Sequence, residues 1–199
     1  MNRALIGLGG LIVALSLVNR AQGEGFSYSP LFIPQSIIGA ASAGSASTVA
    51  VVSERLTKTE LKALIAQIDG FEFAGYFASG SGPSREDVYA IMNAESARRP
   101  DAINKNDPFG GAWGLGQVLA DIARIDYGVA NPYDLLNPYK GASVSMRHME
   151  WTYRALSNGL GRASGASEFI QAYNVGVSGY LSGRRNLGYL AKVTAARLV

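Results

Sequence analysis

The sequence predicts a mainly α-helical domain behind an apolar N-terminal segment and a small-residue linker. Three observations carry this. Capping-box signals stand at Thr57/Glu60 and Ser84/Asp87. Apolar residues recur at spacings of three and four over several stretches of the second half. No convincing pair of alternating strands occurs between them. The chain has 199 residues, 48% of them hydrophobic, which suffices for a sizeable core.

Residues 1–23 form the first piece. Arg3 precedes an uncharged apolar run from Ala4 to Val18, closed by Asn19 and Arg20. As a helix the run spans roughly 22 Å, short of the ~30 Å hydrocarbon core, although Arg3 and Arg20 can snorkel. It reads equally as a membrane anchor through residues 4–18 or as a cleaved signal. Residues 24–56 are poor in charge, and Gly39–Thr48 reads as a flexible Gly/Ala/Ser spacer. Residues 57–79 predict an accessory helix with Leu61, Leu64, Ile65 and Ile68 on one face and Gly70 as its stop. The break Gly80–Pro83 marks the entrance to the main domain, residues 80–199.

Ser84 starts the helix on which the domain is organised. Val88, Ile91, Met92 and Glu95 fall at i, i+3, i+4 and i+7 on one face, and Pro100 marks a stop. The pattern places a carboxylate where the next buried apolar side chain belongs. Burial raises the pKa of a carboxylic acid, which is what a general acid at neutral pH requires. Taken alone, the helix favours a half-exposed Glu95 paired with Arg98 or Arg99.

The rest of the chain narrows the chemistry. The glycine-rich stretch Gly110–Val118 predicts tight turns and lacks the spacing of a nucleotide-binding loop. A short helix follows through Val118, Leu119, Ile122 and Ile125, then a turn-rich connector, Asn131–Pro138. Ala142, Met146, Met149, Tyr153 and Leu156 predict a central core helix, with His148 off that stripe as a surface or satisfied histidine. Ser167–Gly176 and the region around Leu187–Leu198 read as the last two helices. With no cysteine and one histidine, thiolate sites, a zinc cage and a serine triad lack their usual ligands, and no metal or cofactor is expected. A net charge of +3 is too small to argue for nucleic acid. Carboxylate chemistry remains.

The motifs then fall into a recognisable order. Glu95-Ser96 with Pro100 and Ala102, then Gly111–Gln117, then Ala172–Gly176, and finally Tyr189 with Val193, resemble the motifs of soluble-lytic-transglycosylase domains over roughly residues 84–196. The resemblance implies a lysozyme-like α fold acting on peptidoglycan glycan strands, with Glu95 catalytic. It implies that Ser96 orients Glu95 or the substrate. The turn carrying Leu115 and Gln117 would line the cleft, and Tyr173 and Asn174 would approach Glu95 and contact the bound sugar. The product would be a 1,6-anhydro end. Three departures stand out: Gly116 replaces the family's usual Met, and Gly141 and Ser145 replace Asn and Gly at the start of the central helix. A hydrolytic lysozyme needs a second carboxylate, for which Asp101 and Asp107 are the nearest candidates. A weakly active structural component of an envelope or bacteriophage virion assembly is the reading of another class. The expected location is the cell envelope, or a virion.

Overall fold

Local signals and helical periodicity place most of the elements in the computed structural model, which describes residues 54–107 and 109–199. The apolar segment 1–23 and nearly all of the 24–56 linker lie outside the described residues. The elements in chain order are α1 (Lys58–Glu72), a 3-10 turn (Tyr76–Ala78), α2 (Arg85–Ser96), and the two-residue strands β1 (Ile103–Asn104), β2 (Ala112–Trp113) and β3 (Val118–Leu119). Then come α3 (Ala120–Tyr127), a 3-10 turn (Pro132–Leu136), α4 (Pro138–Leu160), α5 (Ala166–Val175), α6 (Val177–Leu181) and α7 (Leu187–Ala196). The strands form one antiparallel sheet in the order β1-β2-β3.

Both capping boxes form. Thr57 and Glu60 bond reciprocally at the start of α1, and Ser84 and Asp87 at the start of α2. Each satisfies backbone donors that have no partner inside the helix, worth about 1 kcal/mol. Gly70 does not stop α1. The helix runs on to Glu72, because the capping signal comes later: the N–H groups of Phe73 and Gly75 both donate to the Asp69 carbonyl. Helix α2 ends before Pro100, at Ala97, which adopts the left-handed conformation.

The glycine-rich stretch is more than a turn. It carries β2 and β3, and α3 begins only at Ala120. Strands of two residues show no alternation that a sequence pattern can register.

The main core gathers Leu61, Ile65 and Ile68 of α1, Val88 to Met92 of α2, Ala142, Met146 and Met149 of α4, Phe169 and Ile170 of α5, and Val193 of α7. Five consecutive residues of α2, Val88, Tyr89, Ala90, Ile91 and Met92, are fully buried. The middle of the helix is therefore enclosed on all sides, and α4 shares the central role expected of it alone. Helix α1 belongs to this same core, and a buried polar cluster also ties it to α4: Glu72 accepts from Ser143 Oγ at 2.6 Å and from Arg147 at 2.7 Å. A second cluster packs Trp113 and Val118 of the sheet on Ala123, Leu135 and Val144.

Helix α7 is pinned along α2. Tyr89 Oη donates to the Val199 carbonyl at 2.7 Å, Asn93 Nδ2 donates to the Ala196 carbonyl at 2.9 Å, and Arg197 pairs with Asp87. Gly141 explains itself by packing: a Cβ there would lie 2.2 Å from the Leu135 carbonyl oxygen. The turn before α4 thus presses its backbone against the first turn of the helix. Gly141→Ala is expected to lower stability by about 1–3 kcal/mol through overpacking, measured by urea denaturation.

Candidate active site around Glu95

Glu95 sits in the last turn of α2, where the helix carbonyls already disfavour a negative charge. The side chain is half-buried. Burial pushes its pKa above the ordinary carboxylate value, opposed by a hydrogen bond from Tyr189 and by the positive charge of Lys192. Tyr189 Oη donates to Glu95 Oε1 at 2.5 Å. Tyr189 is nearly buried, and its own pKa is driven upward by burial and then by the Glu95 charge, so it stays a donor. Its backbone position is fixed by Asn186, the N-cap of α7, whose Oδ1 accepts from Tyr189 N at 2.9 Å.

Asn174 enters this chain of contacts indirectly. It is exposed, and its Oδ1 accepts from Asn186 Nδ2 at 2.8 Å, which links the end of α5 to the start of α7. Tyr173 lies half-buried beside it, and its Oη donates to the Gly116 carbonyl at 2.7 Å. Burial, and next the Glu95 charge, raise its pKa well above the usual tyrosine value. Tyr173 thereby braces the β2–β3 turn against α5 while lying within electrostatic reach of Glu95.

Gln117 occupies the left-handed region at φ 50°, and its Nε2 donates to the carbonyls of Gly114 at 2.9 Å and Ala102 at 3.2 Å. The side chain shapes the turn from within. Two residues expected at the substrate are buried in the structure. Leu115 is fully buried in the main core and anchors the turn from behind. Ser96 is buried, and its Oγ donates to the Met92 carbonyl at 2.9 Å. Apolar packing claims the first, and the end of α2 claims the hydroxyl of the second.

The candidate second carboxylates are engaged elsewhere. Asp101 pairs with Arg99 at 3.2 Å, and Asp107 accepts from Phe109 N at 3.2 Å, so both serve the polar loop after α2. Arg98 does not pair with Glu95; it bonds to Asn93 Oδ1 at 2.9 Å and to the Leu56 carbonyl at 3.1 Å. Among the described residues no group of three or more His, Asp or Glu is placed to hold a metal ion.

Residues 78–188, more than half of the chain, match the family model described as Transglycosylase SLT domain. The chain belongs to the transglycosylase SLT domain family. Comparison with curated proteins and with solved structures found no match. The family is one of glycan-cleaving enzymes, and its helical character agrees with the mainly helical structure seen here.

Sequence reasoning missed Tyr189, which directly follows the matched residues, as a site residue. The signal was present, since Tyr189 and Val193 belong to the last of the recognised motifs, but the spacing carries no hint that the ring turns toward Glu95. Of the two readings of His148, surface or satisfied, the structure bears out the second. His148 is half-buried, with Nδ1 3.1 Å from Tyr127 Oη and its ring edge-on to Tyr173. Burial pushes its pKa down to about 4, so it is neutral at physiological pH.

The unusual Gly116 and Ser145 prove to be neighbours. A Cβ at position 116 would lie 2.3 Å from Ser145 Oγ and 3.1 Å from Tyr173 Oη. Ser145 Oγ is itself held by the Gly141 carbonyl at 2.6 Å. The small residue in the turn therefore matches the larger one on α4.

Two outcomes follow from this geometry. Tyr189→Phe and Lys192→Met each remove a stabiliser of the ionised form, so each raises the pKa of Glu95, read from its carboxyl carbon shift in an NMR titration. Gly116→Ala costs about 1–3 kcal/mol alone and much less beside Ser145→Gly, a coupling that a double-mutant cycle in denaturant measures.

Proposed function

We propose that this chain is a peptidoglycan lytic transglycosylase that cleaves the bond between N-acetylmuramic acid and N-acetylglucosamine with Glu95 as its one acid and base. The observation that carries the reading is the state of Glu95: a carboxyl with a raised pKa, held by Tyr189, while Asp101 and Asp107 are committed to their loop.

Breaking a glycosidic bond requires a proton on the leaving oxygen and stabilisation of positive charge at the anomeric carbon. A raised pKa favours the protonated form of Glu95, the form that can supply that proton. The substrate's own N-acetyl oxygen bonds to the anomeric carbon as the leaving oxygen departs with the proton. Glu95 is then ionised, and the Tyr189 hydroxyl and the Lys192 charge stabilise that form. The carboxylate takes the proton of the sugar's 6-hydroxyl. The 6-oxygen attacks the anomeric carbon and displaces the N-acetyl oxygen, which leaves a 1,6-anhydro end and restores the acid. Water is not consumed. Tyr189 acts as a positioning residue for Glu95, and Tyr173 and Gln117 set the shape of the turn beside it.

A hydrolytic lysozyme would use a second carboxylate about 5–9 Å from the acid to activate water or form a covalent intermediate. The engagement of Asp101 and Asp107 favours the single-acid route. The apolar N-terminal segment supports a setting at the cell envelope, with peptidoglycan strands as the partner.

Glu95→Gln is expected to abolish clearing of purified peptidoglycan while the circular dichroism spectrum is retained. Mass analysis of the fragments released by the parent chain should find anhydromuramic ends. Reducing ends instead would assign a hydrolase, and full clearing by the variant would remove Glu95 from the chemistry.

A further inference from the structure

Helix α4 carries a large aromatic side chain that the single-acid mechanism does not use. Trp151 is 43% exposed, whereas Trp113, the only other tryptophan, is 7% exposed and donates from its indole nitrogen to the Gly110 carbonyl. An exposed indole on the central helix gains nothing for the core, and tryptophan concentrates where surfaces bind. Its surroundings are ordered. The Trp151 ring lies almost parallel to His148, with an interplanar angle of 9° and a centroid distance of 5.9 Å. His148 in turn meets Tyr127 and Tyr173 edge-on, at 6.1 and 5.6 Å. Tyr173 bonds to the Gly116 carbonyl beside Glu95's side of the site. An aromatic tier therefore runs without interruption from the candidate active site out to solvent at Trp151.

The charged residues next to Trp151 along α4 are paired. Glu150 pairs with Arg154 at 2.7 Å, and Arg147 pairs with Glu72 at 2.7 Å. His148 is enclosed by rings and held by Tyr127 Oη. An anionic lipid or a charged peptide finds no unpaired partner among these flanking groups. A neutral ring with an apolar face does find one, because the axial C–H face of a pyranose can lie flat on an indole while its equatorial hydroxyls stay in water.

We propose that Trp151, backed by His148, is a stacking platform for a neutral N-acetylhexosamine of the glycan strand, outside the pair of sugars joined by the bond that is cleaved. The proposal rests on the glycan reading of the Glu95 site and adds a binding position to it. The platform holds longer strands and contributes nothing to a disaccharide that fills the centre alone.

The test uses the full chain carrying Glu95→Gln, so that bound glycan is not consumed, with peptide-free peptidoglycan strands fractionated to disaccharide and hexasaccharide. Hexasaccharide should shift the tryptophan emission and protect it from acrylamide, and Trp151→Phe should remove both signals while keeping the affinity within about threefold, since a ring remains. Trp151→Ala should weaken hexasaccharide binding about tenfold and leave disaccharide binding unchanged. Thermal melting checks that both variants fold as the parent does. Equal hexasaccharide affinity in parent and Trp151→Ala chains overturns the platform, as does an equal loss for both lengths. Shielding of Trp151 from acrylamide in the free chain also overturns it, because another part of the protein then covers the indole. Failure of the Glu95→Gln chain to bind either length overturns the platform together with the glycan reading, whereas anhydro products from the parent chain keep that reading whatever Trp151 does.

Discussion

The contact on which the site depends is the hydrogen bond from Tyr189 to Glu95. Enclosure alone favours the protonated carboxyl, which gives a proton more readily than it takes one back. A donor aimed at one oxygen, with the Lys192 charge nearby, moderates that bias. The two influences oppose each other at one atom group, which is what the proposed use of Glu95 first as acid and then as base calls for. Much of the fold serves to hold the two partners together. Helix α2 is enclosed so that its last turn is fixed, and α7 is pinned to it by Asn93, Tyr89 and the Arg197–Asp87 pair.

The turn between β2 and β3 is the other fixed surface, built by exclusion. Leu115 plugs the core behind it, Gln117 ties it from within, and Tyr173 holds its Gly116 carbonyl. The departures from the family pattern make sense together here. Ser145 fills from the helix side the space that a side chain at 116 would need, and the Leu135 carbonyl occupies the space that a side chain at 141 would need. They are packing adjustments within one region, in which a change at one position restricts its neighbour.

The helices were largely legible in the sequence because their causes are local. Capping boxes, the periodic stripes of α1, α2 and α4, and Pro138 at the first position of α4 act within a few residues. What was not legible depends on contacts distant in sequence. The strands are too short to repeat, and α1 passes through Gly70 because Asp69 caps it later. The candidate site divides the same way. Glu95 stood out as a carboxylate on an apolar face, and Tyr173 and Asn174 came with the family motifs. Ser96 and Leu115 belong to those motifs but turn inward, and Tyr189 turns toward an acid that lies 94 residues earlier in the chain. The direction of a side chain across such a separation is set by packing, which no periodicity records.

That separation has a consequence for how the protein is made. Glu95 emerges from the ribosome long before α7 exists, and helix docking over so long a stretch of chain comes late relative to the formation of local helices. Until Leu187–Ala196 settles along α2, the acid lacks its donor and its end of the helix lacks a lid. A nascent or truncated chain that lacks α7 therefore carries Glu95 without the Tyr189 hydrogen bond that orients it.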